Sequence, residues 1–511
     1  MTAVQNSAVE ALVAPLTVVP AVPAAPTQLV RNLLILSGGQ MASWLLGIIW
    51  LVVVPRRLGP AAIGEFVIAT STAAVLGIFV NQGAGPLLTR EVARDSSRAS
   101  QLVGGAILMR LAWGIPACIG MFVYIHVVGF GPQREVLMWL ATATVMAASI
   151  SGVFSAVFGG MQRMEFVAFS SLVANSMVNL LGVGLVLLGG RVLGLMILAL
   201  ALGVLSVALN IYWSRGLFRI AWHGATQAAI YVFRTGVSFW IGSAFFLIYL
   251  WIDLILLSIL APARVVGWYG VPTELFGSVL VVASILCTAW FPRIAAAYSS
   301  GPDSLRRTAR PAAEAAVVLS LPVAAGTALV AAPFVALFYG KEFAEAVPVL
   351  IILAICAVPT FFNMMADQIL AAQGRQVSWV KVIAIATALN IGANLVLIPH
   401  FEARGNGAVG AALSLLGTEI FELAAALFLL PWLLSWPLLG RVSRATGATL
   451  LMASAVFAVS GAGLLVQVSV GVVAFSIFGL LLKVPTADEL NLLRGFGARA
   501  YMRLRRPAAA L

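Results

Sequence analysis

In the run YLWIDLILLSIL, residues 249–260, Asp253 is a single carboxylate among apolar neighbours. On membrane-insertion scales an acid in that setting costs about 2.5 to 3.5 kcal/mol, so its presence asks for a use: holding a proton or small cation, gating, or pairing with a buried Arg. Asp253 lies about eight residues, or about 12 Å, from the end of its run, too deep for a short side chain to reach water. Its face, with Tyr249 and Ser243, is expected to look into a wet cavity unless an ion pair holds it to a neighbouring helix. Glu314, Asp367, Glu419 and Glu422 are further acids in apolar surroundings, and Asp367 and Glu419 join Asp253 as candidate coupling or gating residues. Arg110, in GGAILMRLAWGI, is the basic counterpart. Guanidinium grips phosphate oxygens in pairs and stays charged, so Arg110 is a candidate contact for an anionic headgroup, with snorkelling to the interface as the alternative. Arg31 and Arg234, near the ends of their runs, are further headgroup candidates.

The elements that hold these residues follow from composition. The 511 residues are 62% hydrophobic and 9% charged, and the apolar ones arrive in blocks of about twenty rather than in stripes. Such blocks must satisfy their backbone internally, which predicts an all-α polytopic membrane protein and excludes a barrel of short alternating strands. About fourteen spans are expected, beginning near residues 32, 62, 102, 135, 166, 192, 236, 268, 312, 345, 377, 407, 446 and 467. An even number puts both termini on one side. That side carries Arg90, Arg94, Arg98, Arg293, Arg306, Arg307 and Arg310 among others, roughly three basic residues to one on the opposite face, which predicts cytoplasmic termini. The same loops absorb the net charge of +12, so nucleic acid is not an expected partner. Cys118, Cys287 and Cys356 lie far apart within apolar spans and suggest packing rather than disulfides or a metal site.

The chain also repeats itself. LGPAAIGEFVIATSTAAVLGIFVNQGAGPLLTREVA from Leu58 is matched by LAPARVVGWYGVPTELFGSVLVVASILCTAWFPRIAAA from Leu260, and the stretches around Asn179 and Asn390 align. The offset, about 200 to 210 residues, spans an even number of helices and predicts two six-helix lobes related by a parallel repeat, with two extra helices. Lobes facing each other across the membrane normal leave a cavity that can open to either side in turn, so alternating-access transport is the leading expectation; a duplication that merely builds a large bundle is the alternative. The expected organisation is a flexible tail over 1–29, an N-lobe over 30–213, a cytoplasmic amphipathic linker over 214–235, a C-lobe over 236–432, extra helices 13–14 over 433–483 and a basic cytoplasmic tail over 484–511. In the linker Arg215, Arg219 and His223 recur every four residues, and the tail opens with a capping box, Thr486 to Glu489. GNGAVG, residues 405–410, has dinucleotide-fingerprint spacing but no strand before it, and is set aside.

The segments RRLGPAAIGEF, GAGPLLTREVARD, WIDLILLSILAPARVVGWYG, WFPRIA, EFAEAVPVLIILA and LVLIPHFEARGNGAVGAAL together resemble the polysaccharide and O-antigen flippases of the multidrug/oligosaccharidyl-lipid/polysaccharide exporter superfamily. The likeness runs over about residues 30 to 430. It implies a fourteen-helix, two-lobed, multi-pass protein of the cell inner membrane that is not an enzyme and flips a polyprenyl-pyrophosphate-linked oligosaccharide outward. Its implied surroundings are membrane lipids, a polysaccharide polymerase and glycosyltransferases, with no cofactor beyond a coupling ion, H+ or Na+. Asp253, Arg90 and Glu419 match positions that commonly carry these residue types in the family, whereas Glu274 stands where a basic residue is common. Alternatives are a cation-coupled multidrug exporter of the same fold, a membrane glycosyltransferase or polymerase, which would need larger outer loops, and a scaffold without transport of its own.

Overall fold

The computed structural model describes residues 26–81 and 84–486, with side chains described from position 45 onward except at 238, 239, 241–243 and 246. The side chains of Arg31 and Ser243, the 1–25 stretch and the tail from 487, which includes Glu489 of the capping box, lie outside the described residues. Among those described, every regular element is helical. Hydrocarbon offers no partner to a backbone N–H or C=O, so each apolar block closes its own hydrogen bonds. The helices are α1 (residues 26–58), α2 (60–81), α3 (Ala84–Arg94), α4 (Ala99–Val128), α5 (Pro132–Gly160), α6 (Met164–Leu187, with a π-helical turn over Leu172–Ser176), α7 (Val192–Ser214) and α8 (Ala225–Leu260). There follow α9 (Ala263–Ser299), α10 (Pro302–Phe338), α11 (Ala346–Ala372), α12 (Gln376–Glu402), α13 (Gly407–Leu429), α14 (Trp436–Ala458) and α15 (Leu464–Leu481).

Among the described residues eleven helical stretches are long and apolar enough to cross a membrane, and the first of these, Leu45–Asn81, is two arms. Gly59, with φ 78° and ψ 168°, breaks it. The rings of Trp50 and Phe66 then meet at 5.5 Å, where a continuous helix would put about 24 Å between them, so α1 and α2 run antiparallel. Counting both arms, with α8 and the more polar α14, gives the fourteen passes expected. Most begin within a few residues of expectation, but α8, α10 and α14 begin about ten earlier. Their early turns carry Arg234, then Arg306, Arg307 and Arg310, then Arg441 and Arg444, and these charges lower the hydropathy of turns that are nonetheless helical.

The linker differs more. Residues 215–224 form turns and extended backbone rather than a helix, so Arg215, Arg219 and His223 share no helical face. The Ala221 N–H instead donates to the Ser100 carbonyl at 3.1 Å, and Leu217, Phe218 and Ile220 pack on the N-lobe core. Apolar side chains at three of those ten positions make the segment part of the lobe's packing.

Helix α8 belongs to both lobes. Its first half lies along α4, with Trp113 and Phe233 stacked at 5.9 Å, and Trp240 Nε1 donates to the Ile78 carbonyl of α2 at 2.9 Å. Its second half packs against α12, where Asn394 meets Asp253 at 2.6 Å. The extra helices α14 and α15 dock on α10 through Arg441, which pairs with Glu314 at 3.4 Å and donates from Nε to the Val484 carbonyl at 3.0 Å.

The repeat reappears as matched contacts. In the N-lobe Asn210 of α7 donates to Ser151 of α5 at 2.8 Å, inside a knot with Ser170 and Ser206. About 210 residues on, Glu419 of α13 sits beside Thr360 of α11. The lobes meet where α2 and α9 begin, each just after a Leu-x-Pro turn. A Cβ on Gly64 would lie 1.7 Å from the Ala263 carbonyl oxygen, and one on Gly267 2.0 Å from that of Pro60. Each glycine, about one turn into its helix, seats on the first residue of the other, and only a residue without a side chain allows that approach. Tyr124 Oη and Ser258 Oγ, 2.5 Å apart, and a hydrogen bond from Arg56 to the Leu337 carbonyl join the lobes at the same end.

Gly267→Ala is therefore expected to part the lobes at this end. With the native cysteines replaced by Ser, and Cys introduced at Arg56 and Leu337, the yield from a short bis-maleimide should fall by about half or more in the Gly267→Ala background; an unchanged yield would mean that the glycine contact does not hold the end shut.

Candidate functional site

Asp253 is 4% exposed and turns into the C-lobe rather than toward the space between the lobes, contrary to expectation. Two neutral donors explain the turn: Tyr269 of α9 donates to Oδ2 at 2.8 Å and Asn394 of α12 to Oδ1 at 2.6 Å. Among the described residues Asp253 makes no ion pair, so the Arg partner considered for it is absent there. Hydrogen bonds from neutral groups offset part of the cost of burying the carboxylate without cancelling its charge. Asn390, one turn before Asn394, lies beside it and donates to Thr418 Oγ1 at 3.4 Å. Asn394 Oδ1 is buried without a hydrogen-bond partner, so Asp253, Asn390, Asn394 and Thr418 bring together hard oxygen donors suited to an alkali or alkaline-earth cation, or to a proton on the acid.

A second carboxylate stands beside the first. Glu419 accepts from Tyr249 at 3.1 Å and from Asn363 at 2.9 Å, so the tyrosine one turn before Asp253 serves Glu419 instead. Glu422 is buried with Oε1 unpaired. Asp367 is half-buried, with Gln368 Nε2 3.5 Å from its Oδ2, and Glu314 is taken up by Arg441. Sequence reasoning found Asp253, Asp367 and Glu419 but missed Tyr269, Asn363 and Asn394; the signal for the last was two asparagines four residues apart in an apolar span, a polar stripe on one helix face.

The arginines are dispersed. Arg110 is 3% exposed, donates to the Ser149 carbonyl of α5, and has its Nε without a partner. It is a buried strut between α4 and α5 and is absent from the lining of the inter-lobe space. Arg234 is exposed on α8 and forms no ion pair with a described residue. Arg57, Arg134 and Arg191 ring a recess of about 1250 Å³ at the joined end, where Arg134 forks onto Glu65 through two bonds of 2.6 Å.

Between the lobes the space widens in steps away from the glycine contact. A 320 Å³ pocket lined by Pro55, Ile63, Thr70, Gly270 and Thr273 leads to a 630 Å³ one lined by Gly47, Asn179, Gly277 and Ser278, and Trp50, Phe66 and Glu274 line both. Glu274, absent from the sequence-based site, is open to this space and is the charged residue among those lining it. Across α9 lies a 570 Å³ apolar pocket walled by Phe276, Val279, Phe334, Phe338 and, from α15, Leu464 and Val468. Ser278 lines both this pocket and the 630 Å³ one between the lobes.

Comparison with known proteins gives this geometry a context. A family model described as polysaccharide biosynthesis protein matches residues 29–297, and one described as MatE matches residues 239–396. No curated protein matches the chain in sequence. Among solved structures, a lipid II flippase MurJ in an inward closed conformation superposes with a TM-score of 0.69 at 14% identity, covering 88% of this chain and 99% of the other. A multidrug resistance MATE family transporter of the MOP superfamily, inward-facing, gives 0.60 at 19% identity over 77% of this chain and 95% of the other. An outward-facing one gives 0.51 at 16% identity over 82% and 96%. At such identities the likeness establishes the fold.

The hydrogen bonds make a stability prediction. Tyr269→Phe leaves Asp253 Oδ2 without its donor and should destabilise the protein by about 1 to 3 kcal/mol, read as a lower melting temperature in detergent. Arg110→Met removes the bond to the Ser149 carbonyl but also a buried cation lacking a counter-charge, and the two effects oppose, so it should lower the melting temperature less than Tyr269→Phe does. The opposite ranking would mean that the charges are held otherwise than these contacts indicate.

Proposed function

Since the chain belongs to the polysaccharide biosynthesis protein family, we propose that it is a flippase that carries a polyprenyl-pyrophosphate-linked oligosaccharide across the cell inner membrane by alternating access, a carrier rather than an enzyme. The observation that carries this reading is the pair of compartments sharing Ser278: a space between the lobes where Asn179, Glu274 and Ser278 offer polar groups among apolar walls to a sugar headgroup, and a more uniformly apolar pocket between α9, α10, α11 and α15 for a polyprenyl chain. An amphipathic lipid needs both at once, and a water-soluble solute needs only the first. The extra helices thereby acquire a use, since α15 walls the apolar side.

In this scheme the glycine contact of α2 with α9 is one closed gate, and the other state requires it to part. Asp253, with Asn390 and Asn394, is the coupling or gating acid, taking H+ or Na+; Glu419 and Asp367 are secondary members of that cluster. Arg234 is the headgroup candidate that stays accessible, Arg31 keeps that role on sequence grounds, and Arg110 acts by holding α4 to α5. The three-to-one distribution of basic residues supports cytoplasmic termini. A polysaccharide polymerase and glycosyltransferases are the partners this task calls for.

A second reading, a cation-coupled multidrug exporter, is favoured by the MatE match and by an inter-lobe space whose described charge is acidic. One experiment separates the two. Vesicles containing the purified protein and a polyprenyl-pyrophosphate oligosaccharide should expose the sugar to an external glycosidase faster than protein-free vesicles. Ser278→Trp, which fills both compartments, and Asp253→Asn should each slow exposure about tenfold or more with melting temperatures preserved. If the protein gives no acceleration while moving lipophilic cations, the exporter reading prevails.

A further inference from the structure

A flippase for pyrophosphate lipids is expected to offer guanidinium to its cargo, yet the inter-lobe space presents a carboxylate. Glu274 lies on α9 about 17 Å from the start of that helix, near mid-membrane depth. It is open to the cavity, lines both of its sections, and has no ion pair with a described residue. The carboxylate is therefore not spent on the fold, unlike Asp253, Glu314 and Glu419, whose hydrogen bonds or ion pairs are described above. The walls around it are chosen in kind. Trp50 and Phe66, 5.5 Å apart, line both sections with it, and Asn179 and Ser278 line the wider one. An aromatic pair with a carboxylate is the chemistry that selects an ammonium group, and an indole face with an amide and a hydroxyl suits a sugar ring.

We infer that Glu274 is a specificity-determining residue, and that the cavity takes a glycan headgroup carrying a free amino sugar whose ammonium pairs with the Glu274 carboxylate. The inference rests on the flippase reading and narrows its substrate class. It also gives the pyrophosphate a place: the lipid's anionic end must sit away from Glu274, toward a membrane face, while the amino sugar lies at mid-depth. A neutral N-acetylated sugar in the same position would bury Glu274 against an uncharged group, which is the unfavourable alternative.

The test uses two matched probes, a polyprenyl-pyrophosphate bearing a disaccharide with free glucosamine and its N-acetylated twin, titrated against the full-length protein in nanodiscs. Wild type should bind the amine form about tenfold more tightly, and Glu274→Gln, checked for an unchanged melting temperature, should bind both alike by weakening the amine form alone. Equal binding of the twins by wild type, or a preference that survives Glu274→Gln, would overturn the assignment. So would binding of both twins that is lost in EDTA and restored equally by Mg2+, because a bridging metal ion would then occupy the carboxylate. If neither lipid binds while tetraphenylphosphonium does, and Glu274→Gln abolishes that, the lipid-linked glycan reading itself fails and the amino-sugar assignment with it; failure of the inference alone leaves lipid binding intact.

Discussion

The approach of two backbones, Gly64 on Ala263 and Gly267 on Pro60, organises the rest of the molecule. It requires the Leu-x-Pro turns at the starts of α2 and α9 and, about one turn into each helix, a glycine, so the internal duplication supplies both sides of the closed end. Because the contact is between main chains, side-chain mobility cannot absorb it: the helices touch at this distance or they part. That gives the interface a discrete character, which an alternating-access device needs and a graded side-chain cushion would not supply.

Buried charge is handled differently in the two lobes. The C-lobe places Asp253 and Glu419 among Tyr and Asn donors, leaving carboxylates that are solvated by neutral groups. The N-lobe position matching Glu419 holds Asn210 in a knot of serine hydroxyls, fully uncharged. That helix position thus carries a buried acid in one lobe and a neutral amide in the other. Arg110, the N-lobe's buried charge, is tied to a main-chain carbonyl and away from the cavity.

Much of the fold was legible because a bilayer leaves so few options. Apolar blocks gave the helices, and the repeated Leu-x-Pro turns reappear at the starts of α2 and α9, where the lobes meet. The departures have physical causes. Charges in the early turns of α8, α10 and α14 lower the hydropathy of turns that are nonetheless helical, and a four-residue spacing of Arg215, Arg219 and His223 lost to the packing of Leu217, Phe218 and Ile220. At the site, the sequence singled out Asp253 through its rarity but could not show which way it turns, since that depends on Tyr269 and Asn394 from other helices. Arg110 looked like a cavity residue for the same reason: depth is readable from one helix, facing is not. Glu274 was visible only as an oddity until the walls around it were placed.

Helix α8 ends up with an obligation to both halves. Its first turns are stacked on α4 and its last turns are bonded to α12, with unbroken helix between. A bundle of two halves joined by a loop could rock freely, but here a single rod is clamped at each end in a different body. Any change in the angle between the halves must curve that rod or release one clamp. The second clamp closes on Asp253 through Asn394, so a single buried carboxylate is part of what resists that bending.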